Sequence, residues 1–398
     1  MAVKVIVRKD TYRDSVTLMK ISNKVAELKG VLQAAVVMAT PTNKQLLKDV
    51  KLLTDEIETA GPNDLVIALN TENQESMNNA ISEVDRLLFA REAVEVEEVL
   101  PKTLDSALRI MPDANLVMIS VPGEFAKREA LRALRKGLNV FLFSSNVPIE
   151  EELELKKIAK EKGLLMMGPD CGTAIINNIV LGFGNIVKQG TIGLVSASGT
   201  GLQQVSTLIH REGLGISQAI GTGGNDLSEK VGGITMIEGI KLLEEDKKTQ
   251  AIVLISKPPS RQISEKVLKV ASDCKKQVVV NFLGGEIDKI RKSGCIAAAT
   301  LEDAAKTVCA LVQGKKPEKT IFTNSKKEIM SIVNTESSKL LKMQKYVRGL
   351  FSGGTLCYEA LVILAPLMGD VYSNVPLKPN YKLENVNASK KHTCIDMG

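Results

Sequence analysis

Three short segments place small and polar residues where an apolar run gives way to a loop. Gly168, Pro169, Asp170, Cys171, Gly172 and Thr173 follow the run LLMM. Small residues let the backbone approach a ligand, and Asp170 and Thr173 offer hydrogen bonds; a tight turn would carry the same composition. Ser196, Ala197, Ser198, Gly199, Thr200 and Gly201 stand between the run TIGLV and the helical pattern LQQVSTLIHREG. A helix starting there presents free N–H groups and the positive end of its dipole, which suits a phosphate or carboxylate. Ser352, Gly353, Gly354 and Thr355 repeat that logic between KYVRGL and LCYEALVILAPL. Two such helix starts could face each other across one anion. That pairing is an expectation that spacing alone does not test.

Other candidates carry less. Gly223, Gly224, Asn225 and Asp226 lie in GTGGND, where the last two contact a ligand or cap the next helix. Lys257 ends the run AIVLIS before two prolines, where it pairs with an anion or lies along the surface. The chain has two histidines: His210 near a helix C-terminus, where a structural role is expected, and His392 in a polar tail. No metal-ligand cluster, Walker A motif or Ser/His/Asp set stands out, and no metal is expected.

These loops need strands to hold them. From residue 104 short apolar runs alternate with Gly/Ser/Pro turns and helical patterns: NLVMISV, FLFS, LLMMG, TIGLVSA, QAIGTGG, AIVLISK, VVVNFLGG. Continuous apolar strands mean that both sheet faces are covered, so the sheets are parallel and doubly wound. In such sheets ligands bind beyond the C-terminal ends of the strands, where these loops sit. The first ninety residues read differently, as a ferredoxin-like α/β sandwich with strands at 3–7, 32–39 and 64–69. The predicted division is 1–92 ferredoxin-like, 93–187 a Rossmann-like doubly wound domain, 188–318 a flavodoxin-type doubly wound domain, 319–345 a helical linker and 346–398 part of a further domain. The acid-rich stretch 91–103 supplies the first boundary.

Composition limits the alternatives. Of 398 residues, 44% are hydrophobic and 25% charged, a globular balance, and the length calls for more than one core. Aromatics are 3%, so the cores are aliphatic. The net charge of +6 is spread among 46 acids, and short clusters such as Lys315-Lys316 lack interleaved aromatics. A solvated surface or a small anionic partner is expected, not nucleic acid. Six cysteines without C-x-x-C spacing read as reduced, buried thiols in a cytoplasmic protein. No apolar run reaches membrane-spanning length, and no membrane partner is expected.

The motifs resemble a known family. MMGPDCGTAIINNIVLGFGN is similar to the GPNC segment of the succinyl-CoA synthetase α subunit, GTIGLVSASGTG to its SRSGT loop and AIGTGGND to its VGIGGD turn. KDTYRDSVTLM, MATPTNK and VRGLFSGGTLCYEA resemble the FdrA-type relatives of that enzyme, the last also the start of a synthetase β-type ligase domain. Two departures matter. Where the synthetases carry a phosphorylated histidine in GHAGA, this chain reads EIDKIRKSGCIAAAT, with no His between 211 and 391. The Gly-rich CoA loop of the first domain has no counterpart either.

The resemblance implies carbamoyl transfer from carbamoyl phosphate to oxamate or oxalurate in allantoin breakdown, with partner subunits or a homo-oligomer. On that reading the SASGTG and SGGT loops hold the phosphoryl group, and Asn225, Asp226 and Lys257 orient the second substrate. The alternatives are an acyl-CoA synthetase, with CoA or a nucleotide bound as the fold suggests and residues 168–173 holding it, and a non-catalytic anion-binding regulatory subunit.

Overall fold

The computed structural model describes residues 2–50, 52–89, 101–318 and 323–398, in two compact units, 1–100 and 101–398. The acid-rich stretch 91–100, like the start of the expected linker at 319–322, lies outside the described residues.

The first unit runs β1 (Ala2–Arg8), α1 (Ser15–Ala26), β2 (Val31–Met38), α2 (Pro41–Asp49), α3 (Asp55–Thr59), β3 (Leu65–Thr71) and α4 (Gln74–Phe89). Local chemistry sets the helix starts. Asp14 accepts from the Thr17 amide at 2.8 Å, and Thr40 caps α2 ahead of Pro41. The sheet order is β1-β3-β2, with β3 antiparallel to both neighbours. Because β3 is central, its alternating side chains enter two cores. Leu65, Ile67 and Leu69 pack with α1 and α4, while Val66 and Ala68 pack with Leu47, Leu52 and Ile57. The ferredoxin-like reading therefore fits, with α2 and α3 covering the second sheet face.

The second unit opens with α5 (Leu104–Ile110), β4 (Leu116–Ile119), α6 (Gly123–Arg135), β5 (Asn139–Leu142), α7 (Ile149–Glu161) and β6 (Met166–Met167). These form a parallel sheet of order β4-β5-β6. A hairpin follows, β7 (Thr173–Ile176) and β8 (Ile179–Gly182), turned by Asn177 and Asn178 at positive φ. The predicted boundary at 187 groups residues 173–182 with the domain of the first parallel sheet. The structure instead pairs β7 antiparallel with β10, at the edge of a larger sheet. The hairpin's two strands are short, nearly continuous apolar runs that suit either sheet, so periodicity could not choose.

That larger sheet comprises β9 (Gln189–Ser196), α8 (Gly199–Arg211), β10 (Ile216–Gly221), α9 (Ile234–Glu245), β11 (Ala251–Ser256), α10 (Arg261–Ser272), β12 (Gln277–Phe282), α11 (Ile287–Lys292), β13 (Ile296–Ala297) and α12 (Leu301–Val312). Its order is β13-β12-β11-β9-β10-β7-β8, and β9 to β13 are parallel. Every residue of β11 is buried, because α9 and α10 cover one face and α8 and α12 the other. From β9 the chain steps to β10 on one side and to β11 on the other, so the winding reverses between β9 and β11. Crevices open beyond strand ends at such reversals.

Then come the exposed helix α13 (Lys326–Ser337), β14 (Arg348–Phe351), α14 (Gly354–Met368), β15 (Val371–Tyr372) and β16 (His392–Asp396). The last three strands form a small parallel sheet of order β14-β16-β15. Sequence reading left 392–396 as irregular tail. The run is short and follows two lysines, which hides a strand buried at Thr393, Cys394 and Ile395.

One buried ionic cluster joins the β4-β5-β6 layer to the seven-stranded sheet. Lys156 on α7 places its ammonium 2.7 Å from Asp226 Oδ1 and 2.8 Å from Glu152 Oε1, all three side chains within 1% of full burial. It also donates to the Thr222 carbonyl at 2.9 Å. Glu152 Oε1 stands at ion-pair distance without the angle of a directed hydrogen bond. Removing the cation would leave two carboxylates buried without compensation. Lys156→Met is expected to lose about 3 to 5 kcal/mol, read as the fall in urea-unfolding free energy. A loss under about 1 kcal/mol, the range of exposed pairs, would show that the cluster does not hold the sheets together.

Candidate functional site

The crevice between β9 and β11 is where the sequence candidates gather. β9 delivers Ser196, whose Oγ donates to the Ser198 carbonyl at 2.7 Å and accepts from the Ser198 amide at 3.0 Å. That tight turn sets Ser198 as the N-cap of α8, its Oγ accepting from the Gly201 amide at 2.9 Å. The amides of Gly199 and Thr200 then head the helix with no carbonyl one turn back to receive them. Across the crevice β11 delivers Lys257, half-buried, its ammonium 5.6 Å from the centre of the Tyr358 ring.

The second helix start comes to the same place. The Ser198 and Thr355 hydroxyls are hydrogen-bonded at 2.5 Å, and both residues are buried. A Cβ on Gly353 would lie 2.6 Å from Thr200 Cγ2, so the chains approach closely enough to require glycine. The φ of Gly353 is 165°, ordinary extended backbone, so close approach and not conformation fixes its identity. A Cβ on Gly354 would meet Asp396 Oδ2 at 2.6 Å and Lys257 Nζ at 3.2 Å. The ends of α8 and α14, one lysine and one aspartate thus converge. Ser352 is exposed beside them.

Residues 168–173 form the adjoining wall. The Gly168–Pro169 peptide is cis, Gly168 has φ 98° and Asp170 φ 56°. Asp170 is exposed and accepts from Ser145 Oγ at 2.7 Å. Thr173 Oγ1 accepts from Gln203 on α8 at 2.9 Å and lies 3.8 Å from where a Gly199 Cβ would stand. Cys171 is buried and its thiol is pushed up to about 12 by burial, so it is no nucleophile at neutral pH. Gly172 holds the Phe183 amide through its carbonyl at 2.7 Å.

The GTGGND turn divides. Gly223, at φ 83°, leaves a Cβ position only 2.2 Å from the Pro169 carbonyl oxygen and packs the turn on the 168–173 wall. Gly224 and Asn225 are exposed, with open space around the glycine. Asp226, expected to orient a substrate, is fully buried. One oxygen takes Lys156 and the Thr235 amide at 3.0 Å, the other the Met236 amide at 2.9 Å. Its carboxylate caps α9 and is withdrawn from the crevice, because the N–H groups at that helix start are closer than any ligand.

Both histidines stand outside the site in structural roles. His210 Nδ1 accepts from the Lys188 amide at 3.0 Å, and His392 Nδ1 accepts from the Val347 amide at 3.2 Å. Three side chains of the site were missed by sequence reasoning: Gln203, Tyr358 and Asp396. The first two sit mid-helix without any motif, and Asp396 ends the strand that read as tail.

Two family matches fall on separate parts of the chain. Residues 1–100 match the "AllF, heavy metal-associated domain", and residues 179–284 the "CoA binding domain". The second match lies on the seven-stranded sheet and overlaps 93–187, the part that the resemblance makes CoA-binding-like, only at residues 179–187. Residues 1–100 contain no Cys or His, so neither a thiolate nor an imidazole is available to a metal in that unit. The chain is 46% identical over 399 residues to the uncharacterized protein YahF of Escherichia coli K12, covering all of this chain and 76% of that protein. It is 34% identical over 147 residues to the succinate–CoA ligase subunit alpha 2 of Archaeoglobus fulgidus, covering 36% of this chain and 50% of that subunit. Against the corresponding Staphylococcus epidermidis subunit it is 28% identical over 177 residues, covering 44% and 57%. The chain thus spans half to three-fifths of these ligase subunits. Among solved structures, ATP citrate lyase from Methanothrix soehngenii with citrate and coenzyme A overlays at a TM-score of 0.47 and 16% identity, over 58% of this chain and 46% of that one. No described helix is long and apolar enough to cross a membrane.

The crowding around the glycines yields a paired test. Gly353→Ala must displace Thr200, and inorganic phosphate binding by calorimetry is expected to weaken at least about tenfold, or ~1.4 kcal/mol. Gly199→Ala meets only Thr173 Oγ1, at ordinary contact distance, and should shift global stability by less than about 0.5 kcal/mol. Unchanged phosphate binding in Gly353→Ala would separate the second helix start from the site.

Proposed function

The chain belongs to the same family as YahF, and from that premise we propose that it is a CoA-ligase-like enzyme of the FdrA type. The observation that supports this most is the meeting of two helix N-termini and Lys257 at the reversal point of a parallel sheet. Together they offer up to four outward amides and a cation to one tetrahedral anion.

The chemistry that suits this arrangement is transfer at an acyl phosphate. The phosphoryl group would rest against the Gly199, Thr200, Gly354 and Thr355 amides. Lys257 balances the charge that grows on the bridging oxygen as the acyl–oxygen bond breaks. Ser198 and Thr355 hold the two helix starts at a fixed separation, so the donors are oriented before the substrate arrives. CoA, when bound, supplies the thiol that receives the acyl group. The fit for CoA rests on the open strand-end face beside Gly224 and Asn225, where the exposed glycine lets a ligand lie against the backbone, and on the 168–173 wall. Asn225 and Asp170 are the exposed polar side chains there.

Carbamoyl transfer to oxamate or oxalurate, expected from the sequence resemblance, gains no support from the relatives, whose names describe ligation to CoA. Carbamoyl phosphate nonetheless carries the same phosphoryl group, so one assay decides between them. Acetyl or succinyl phosphate with CoA is expected to release inorganic phosphate and form a thioester absorbing in the ultraviolet. Lys257→Met should lower kcat/KM about a hundredfold, or ~2.7 kcal/mol. Turnover of carbamoyl phosphate with oxamate, and none of acyl phosphates with CoA, would reverse the choice.

A further inference from the structure

We propose that Asp396 is a phosphoryl acceptor, forming an aspartyl phosphate between the two helix starts. This deepens the reading of the crevice as a phosphoryl site and rests on it.

The carboxylate is placed with care. Asn374 clamps the backbone of Asp396 from both sides, its Nδ2 donating to the Asp396 carbonyl at 2.7 Å and its Oδ1 accepting from the amide at 3.0 Å. Asp396 Oδ1 accepts from the Gly398 amide at 3.2 Å, which leaves Oδ2 facing Gly354. Only the missing Cβ of Gly354 lets Oδ2 and Lys257 Nζ share that spot, at 2.6 and 3.2 Å from where the Cβ would be. No ion pair joins them among the described residues, so the ammonium is not spent on the carboxylate.

The other nucleophiles near the crevice are occupied or silent. The Ser198 and Thr355 hydroxyls bond each other, and Ser198 also caps α8. Cys357 and Cys394 are fully buried, and burial pushes the Cys357 thiol up to about 11. Neither histidine reaches the crevice, since each ring accepts a backbone amide elsewhere. Asp396 is the half-buried oxygen nucleophile left at the focus of the amides and the lysine.

In the step itself, an Asp396 oxygen attacks the phosphorus of an acyl phosphate or the γ-phosphorus of a nucleoside triphosphate. A new O–P bond forms, the bond from phosphorus to the leaving oxygen breaks, and the departing carboxylate or nucleoside diphosphate keeps the electron pair. Nothing is oxidised or reduced. Lys257 and the amides balance the charge on the phosphoryl oxygens. The reverse step, onto a substrate carboxylate, regenerates an acyl phosphate.

The full chain is incubated with acetyl phosphate and magnesium, then reduced with borohydride, which converts an aspartyl phosphate to homoserine. Peptide mass spectrometry is expected to find homoserine at position 396, and Asp396→Asn to lose it. Mapping in the unsubstituted protein decides the point even if the variant misfolds. Phosphate binding is measured alongside by calorimetry. Saturable phosphate binding without homoserine at 396 overturns this proposal and leaves the ligase-like reading standing; the carboxylate is then only a resident anion at α14. A phosphoryl group mapped to Ser198, Thr355 or a histidine also overturns it. Absence of both binding and adduct removes both readings.

Discussion

The buried pair of Lys156 and Asp226 governs how everything else in the second unit is placed. An ammonium and its closest carboxylate persist without water when both also have well-aimed hydrogen bonds. Asp226 finds them at the start of α9 and Lys156 at the Thr222 carbonyl, which fixes the turn after β10. That turn presses Gly223 against Pro169, and the loop carrying Pro169 brings Thr173 to Gln203 on α8. The position of the Ser198 turn therefore follows, through four packed contacts, from a charge cluster that never meets a ligand.

Within the crevice, the protein relies on dipoles more than on full charges. One lysine and one aspartate nearly cancel, so the attraction for an anion comes from oriented amides at two helix starts. Amides cost little to desolvate compared with arginine or lysine side chains, and their direction is set by the helix axis. On the proposed reading the arrangement would hold an anion without a surrounding basic surface, which accords with a net charge of only +6 spread over the whole chain.

Much of this was legible in the residues. Continuous apolar strands announced parallel, two-sided sheets, and Ser-x-Ser-Gly-Thr-Gly and Ser-Gly-Gly-Thr announced helix starts, because small and hydroxyl residues at those places have few other uses. Asp226 was misread because its motif cannot tell a carboxylate facing a ligand from one capping a helix; the burial of Lys156, some seventy positions earlier, decides that. The predicted boundary at 187 grouped residues 173–182 with the first parallel sheet, because a short apolar strand carries no record of its neighbour. Asp396 was invisible because its importance lies wholly in proximity to Gly354, a relation between a strand end and a helix start far apart in the chain.

That separation bears on the order of folding. The β9–α8–β10 and β11–α10–β12 units close over a few dozen residues, whereas the Ser198–Thr355 contact joins positions 157 apart. Loop closure of that length is paid only after local units exist, and it slows the step in which it occurs. The large sheet can thus reach its native packing while α14 and β16 remain undocked, in a species with a complete core and only half of the crevice. A ligand that touches both helix starts acts on that last equilibrium alone, and protection from hydrogen exchange would spread from α14 to β16 while the sheet interior stayed as it was.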